Sequence, residues 1–114
     1  MKLATLSLGL ALIAKPALAD PTGSYTVEGK SPGGAAYRGS VVIAKTGETY
    51  KVTWTIGNEK TVGTAVGDDR FFAVGYRQGA EGGIAVYARD GKEWKGIWTQ
   101  VGGTEVGIER LTPK

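Results

Sequence analysis

The chain has 114 residues and a mass of 11.9 kDa, with 41% apolar and 22% charged residues, enough for one domain and too short for a multidomain enzyme. It contains neither Cys nor His, which excludes disulfide frameworks, zinc sites and the side chain most used for acid-base work at neutral pH. Nineteen glycines and four prolines weigh against helices, since each interior glycine costs a helix roughly 1 kcal/mol.

The N-terminus carries an early Lys2, an apolar run from Leu3 to Ile13, then Lys15-Pro16 and the small-residue site Ala17-Leu18-Ala19. This is the pattern of a secretory signal peptide, with cleavage expected after Ala19. Its apolar core is shorter than the ~20 residues needed to span a bilayer, so no stable membrane anchor is expected after processing. Removing residues 1–19 takes Lys2 and Lys15 with it and leaves 95 residues, with 12 basic against 11 acidic side chains. The net charge falls from +3 to +1, and the electrostatic case for a nucleic-acid partner falls with it. The expected organisation is a signal peptide over 1–19 and one domain over 20–114, located in the periplasm or outside the cell.

In the mature region the longest stretch free of Gly and Pro is Glu48 to Ile56. Strands fit between such breaks and helices do not. Eight strands are predicted: Ser24–Glu28, Tyr37–Lys45, Thr49–Ile56, Lys60–Val66, Arg70–Arg77, Gly83–Arg89, Glu93–Thr99 and Thr104–Leu111. The third alternates cleanly, with Tyr50, Val52, Trp54 and Ile56 on one face. Thr46-Gly47-Glu48 suits a three-residue turn and Asp90-Gly91 a two-residue hairpin. Turn signals every ten to twelve residues predict an all-β, eight-stranded antiparallel up-and-down meander. Closure into a small barrel removes both sheet edges, with a two-sheet sandwich as the alternative. Glycines inside strands, at Gly39, Gly63, Gly75, Gly96 and Gly107, are read as bends that help closure.

Two connections exceed what hairpins need: Gly29 to Ala36 and Gln78 to Gly83. As connections one and five of a meander they fall at the same end. A binding surface there would carry Lys30, Ser31, Arg38, Arg77 and Glu81 near its rim. Tyr50, Trp54, Phe72, Tyr76, Trp94 and Trp98 are expected on the inner face, where they either fill the lumen or line a cavity; strands of about seven residues favour filling. The last strand is ambiguous in phase, since Val106, Ile108 and Arg110 share one face and Glu105, Gly107, Glu109 and Leu111 the other. If Gly107 and Leu111 face inward, Glu109 is an internal carboxylate that needs a partner such as a Tyr hydroxyl or an Arg.

Catalysis is not expected. No Ser–His or Cys–His couple can form, and no S-x-x-K spacing occurs. Asp68-Asp69 reads as turn chemistry. Glu105 and Glu109, four apart on one strand, lie about 13 Å apart, beyond the range of a glycosidase pair. No metal or cofactor site is predicted. The partner is expected to be a protein or a small apolar ligand, with Trp54, Trp98 and Glu109 joining the rim residues as candidate contacts.

Several segments carry a resemblance: Gly23-Ser24-Tyr25-Thr26-Val27-Glu28-Gly29, Tyr37-Arg38-Gly39, Tyr50-Lys51-Val52-Thr53-Trp54, Val86-Tyr87 through Gly96-Ile97-Trp98-Thr99, and Leu111-Thr112-Pro113-Lys114. Together they resemble small secreted alphaproteobacterial proteins labelled fibronectin-binding, over nearly the whole mature chain. The resemblance implies an exported, non-enzymatic binding protein whose partner is a matrix or envelope protein. The family ending carries Gly-Thr-Glu before Leu-Thr-Pro; here Gly107 and Glu109 are kept and Ile108 replaces the Thr.

Overall fold

The computed structural model describes residues 19–114, so the expected signal peptide over 1–19 lies, all but Ala19, outside the described residues. Eight strands follow one another: β1 (Gly23–Lys30), β2 (Ala36–Thr46), β3 (Thr49–Ile56), β4 (Glu59–Gly67), β5 (Phe71–Gln78), β6 (Glu81–Asp90), β7 (Glu93–Gln100) and β8 (Gly107–Pro113). Each pairs antiparallel with the next, and β8 returns to pair with β1, so the sheet closes into an up-and-down barrel. Period-two alternation is what makes closure favourable, because most strands turn their more apolar positions inward and the ring leaves no unpaired backbone edge; β8 is an exception, with Glu109 inward and Ile108 outward.

The inner faces meet in one core. Val27, Val41, Val52, Phe72, Val74, Tyr87, Trp94 and Leu111 are buried, and Tyr37, Ile56, Tyr76 and Trp98 pack against them partly buried. All six expected inner aromatics therefore point inward. Tyr25, Tyr37 and Tyr87 join them, each in a strand where one Tyr stands among small or polar neighbours and periodicity is faint.

Several sequence expectations are corrected. The supposed long connection Gln78–Gly83 is a two-residue turn, Gly79-Ala80, with β5 and β6 paired out to Gln78 and Glu81. Gly79 has φ 62°, the left-handed backbone that lets a glycine reverse the chain in so short a space. The first connection is shorter than expected as well, since β1 and β2 stay paired to Lys30 and Ala36. The longest connection is instead 101–106, because Thr104 and Glu105 belong to it and β8 begins only at Gly107. The turn after β2 is two residues, Gly47-Glu48, where three were expected from Thr46, and the turn after β6 is Gly91-Lys92, one residue on from Asp90-Gly91.

The interior glycines divide into three kinds, and at Gly39 and Gly63 the space is closed by backbone and aliphatic atoms, the Thr55 carbonyl and Ile56 at the first, Val74 and the Gly75 carbonyl at the second. Gly75 faces outward with open space where a Cβ would stand, so it neither bends the chain nor makes room. Gly29, Gly96 and Gly107 lie on inner faces, and each has an aromatic ring of the adjacent strand over it: Tyr37, Tyr87 and Trp98 respectively. Their role is less a bend than a missing side chain whose space a neighbouring ring occupies.

Candidate functional site

The barrel is filled at one end and hollow at the other. The end carrying the turns at 47–48, 68–70 and 91–92 is packed by Phe72, Tyr87 and Trp94, with Phe72 stacked on Tyr87 at 4.6 Å and edge-on to Trp94 at 4.8 Å. The chain before β1 folds against this end. Tyr25 donates its hydroxyl to the Pro21 carbonyl at 2.7 Å, Pro21 is fully buried, and Arg89 lies over the Trp94 ring at 4.3 Å. The expectation of a filled centre holds for this half alone.

The opposite end, where the odd-numbered connections gather, holds a cavity of about 250 Å³. Its walls are Tyr37, Trp54, Tyr76 and Trp98, and Ala85, Tyr87 and Glu109 stand deeper. The four wall rings form two edge-on pairs: Trp54 with Tyr76 at 5.7 Å and Tyr37 with Trp98 at 6.3 Å. Above them the rim is polar. Gln78 donates to Glu59 at 2.9 Å and Gln100 donates to Glu81 at 3.1 Å.

Glu109 occupies this interior for a reason visible in the strand register. Its neighbours across the sheet are Gly29 on β1 and Gly96 on β7, and beyond those glycines come Tyr37 on β2 and Tyr87 on β6. One row across five strands thus reads Tyr–Gly–Glu–Gly–Tyr. With no side chain on either glycine, both tyrosines lie across the gap and reach the carboxylate. Tyr37 donates to Oε2 at 2.7 Å, Tyr87 donates to Oε1 at 2.5 Å, and the Trp54 indole N–H donates to Oε1 at 3.2 Å. These donors offset the desolvation that an internal carboxylate would otherwise suffer.

The same arrangement acts on the tyrosines. Burial, followed by the Glu109 charge and the hydrogen bond to it, raises the pKa of both Tyr37 and Tyr87 well above the ordinary tyrosine value. Tyr76 is also raised, by burial and then by Glu109 and Glu81. The hydroxyls of Tyr37 and Tyr87 therefore stay protonated donors across the neutral and mildly alkaline range.

Of the predicted site residues, the cavity brings together Ser31, Trp54, Trp98 and Glu109. Glu81 stands at the rim. Lys30, Arg38 and Arg77 do not join them: each follows an inward residue (Gly29, Tyr37, Tyr76) by one position and so projects from the outer wall. Arg38 instead donates to Glu28 across the outer face at 2.8 Å. The expected ring of charged side chains around the mouth is thus not formed by these cations.

The phase of the last strand is resolved with Gly107, Glu109 and Leu111 inward, and Ile108 outward at 52% exposure. Glu109 has the tyrosine partners that this phase required. Glu105, in the 101–106 connection, shares no strand with Glu109, so the two are not the same-face pair that the sequence suggested. Asp68 is a turn residue, its Oδ1 accepting the backbone N–H of Arg70 at 2.9 Å and of Phe71 at 3.2 Å. Among the described residues no cluster of acidic side chains is grouped to hold a metal ion.

Sequence reading missed Tyr37 and Tyr87 as site residues, and placed Tyr76 on the inner face without naming it as a contact. The signal that could have found them is the placement of inward glycines beside inward aromatics, which becomes legible only once the register of neighbouring strands is known.

Fold and site together define an eight-stranded up-and-down barrel with one sealed end and one aromatic-walled, carboxylate-floored open end. No protein-family model matches the chain, and no curated protein matches it.

Proposed function

We propose that this protein is an exported, non-catalytic binding protein that holds one small molecule in the open end of its barrel. Export rests on the N-terminal pattern. The binding reading rests on one observation: a cavity of about 250 Å³ walled by four aromatic rings, in a barrel whose other half is packed solid. Sites that bind small molecules are typically concave and largely apolar, with few polar groups set in fixed positions. Glu109, held by three donors from three strands, is such a group. The volume lies below the ~300–1,000 Å³ of drug-sized sites, which favours a compact ligand.

Among the described residues the groups that hydrogen-bond Glu109 are the Tyr37 and Tyr87 hydroxyls and the Trp54 indole, all donors, which do not make a catalytic couple with it. A protein partner docked on a charged mouth, the reading that the family resemblance suggests, has less support: Lys30, Arg38 and Arg77 are distributed over the outer wall.

The test uses the three tryptophans. With the mature protein labelled for NMR, a library of small amphipathic compounds should shift the indole resonances of Trp54 and Trp98 and leave Trp94 in place. Ala85→Leu, which extends a side chain into the cavity from below, should abolish those shifts. If no compound moves Trp54 or Trp98, or if Ala85→Leu leaves binding intact, the proposal fails.

A further inference from the structure

The electrostatics of the cavity indicate which compact ligand it takes. Among the described residues its lining includes two carboxylates, Glu109 below and Glu59 at the rim, and no Lys or Arg. A third carboxylate, Glu81, stands at the rim beside Gln100. The cations expected there from sequence all lie outside. Residues 20–114 carry nearly balanced charge, with 12 basic and 11 acidic side chains, so an interior of one sign is a local property and not a reflection of the whole.

The hydrogen-bonding geometry at Glu109 is equally one-sided, while the Trp98 indole N–H, buried without a partner among the described residues, is a single donor elsewhere in the lining. A carboxylate offers about four acceptor positions, and among the described residues Tyr37, Tyr87 and Trp54 occupy three of them, two on Oε1 and one on Oε2. The remaining position belongs to Oε2, on a side chain that lines the cavity. It can accept a hydrogen bond from a ligand and has none to give. The surrounding walls are the faces and edges of Tyr37, Trp54, Tyr76 and Trp98, and aromatic faces attract a cation within about 6 Å of the ring centre through the ring quadrupole. An anion would meet like charge and ring faces, both repulsive. A neutral apolar molecule would leave the Oε2 position without a donor, at a desolvation cost of about 1–3 kcal/mol.

We infer that the open end of the barrel recognises a small organic cation, a protonated amine that donates an N–H to Glu109 Oε2 while its apolar body packs against Trp54, Tyr76 and Trp98. The inference rests on the small-ligand reading above and narrows it from an apolar ligand to a cationic one. Glu59 adds long-range attraction at the mouth, and Glu109 supplies the directional contact.

Benzylammonium, benzyl alcohol and benzoate share a ring and differ in charge, so titrating the three into the mature protein at pH 7, followed by the indole resonances of Trp54 and Trp98, separates the possibilities without any substitution. Benzylammonium should bind at least tenfold more tightly than benzyl alcohol, and benzoate should not bind. Raising the salt concentration should weaken the ammonium alone. Glu109→Gln should remove most of the preference for the ammonium over the alcohol. Glu59→Gln, at the exposed rim where folding is not at stake, should reduce it by a smaller factor. Equal binding of the ammonium and the alcohol would overturn the cation inference while leaving the small-ligand proposal standing. If none of the three binds and the wider compound library also fails, both fall. Tighter binding of benzoate than of benzylammonium would reverse the assigned charge.

Discussion

The two halves of the barrel are built from the same strands and similar residues, yet one is solid and the other hollow. At the sealed end Phe72, Tyr87 and Trp94 interlock, and Pro21 and Arg89 close over them. At the open end Trp54, Tyr76, Tyr37 and Trp98 stand in edge-on pairs that leave a space between them. What separates the halves is less the number of rings than where the rings lean. Tyr37 and Trp98 lie over Gly29 and Gly107, flattening against the wall and away from the axis. Tyr87 also lies over Gly96, but it is stacked on Phe72, which in turn meets Trp94, whereas the open-end rings meet as two separate pairs.

The largest expected effect tests the solid half. Trp94→Ala should cost about 3–5 kcal/mol in chemical denaturation, as removal of a fully buried aromatic does, whereas Trp98→Ala, on a wall that already borders space, should cost clearly less. Equal losses would show that the two halves are packed alike. The glycine rule is tested next. Gly96→Ala drives a methyl into the Tyr87 ring, and Gly107→Ala meets Trp98 Cε2 at 2.5 Å and the Lys30 carbonyl at 2.7 Å, so each should destabilise by about 1–3 kcal/mol. Gly75→Ala, which meets open space, should be neutral or slightly stabilising.

The carboxylate row comes third. Glu109→Gln replaces an acceptor oxygen with an amide that competes with the Tyr37, Tyr87 and Trp54 donors, and a loss of about 1–3 kcal/mol follows from leaving a donor unpaired. A smaller effect concerns pH. The folded-state pKa values of Tyr37 and Tyr87 are raised above the ordinary 10.0, so above pH 10 the unfolded chain releases protons that the folded chain retains. Stability from this source is full below pH 10 and is lost as pH rises beyond it. A denaturation series should show that alkaline decline, and Tyr37→Phe should make it shallower; an unchanged slope would remove Tyr37 as a source. The smallest effect belongs to the outer wall, where Arg38→Ala breaks an exposed ion pair with Glu28 and should change stability by only about 0–1 kcal/mol.

Much of the architecture was legible in one dimension. Glycine spacing and the alternation Tyr50-Val52-Trp54-Ile56 specify short strands, and eight strands with hairpin-length connections specify a meander. The side of the barrel that opens was also accessible, because odd connections share an end, and Ser31, Trp54, Trp98 and Glu109 do lie there. The misplaced cations share a cause: nearness to a loop along the chain puts Lys30, Arg38 and Arg77 at the rim, whereas strand alternation directs each of them outward.

Sequence alone determined the class of fold, since alternation and turn chemistry are local and carry across any register. It left the inner face of the last strand undetermined, because an isoleucine and a glutamate compete for adjacent positions and hydropathy would bury Ile108. Only the tertiary structure decided in favour of Glu109. The three donors that make its interior position tolerable come from β2, β3 and β6, and two of them reach it because β1 and β7 present glycines beside it. An internal charge is stabilised by groups that closure of the sheet brings together, and no window along the chain contains them.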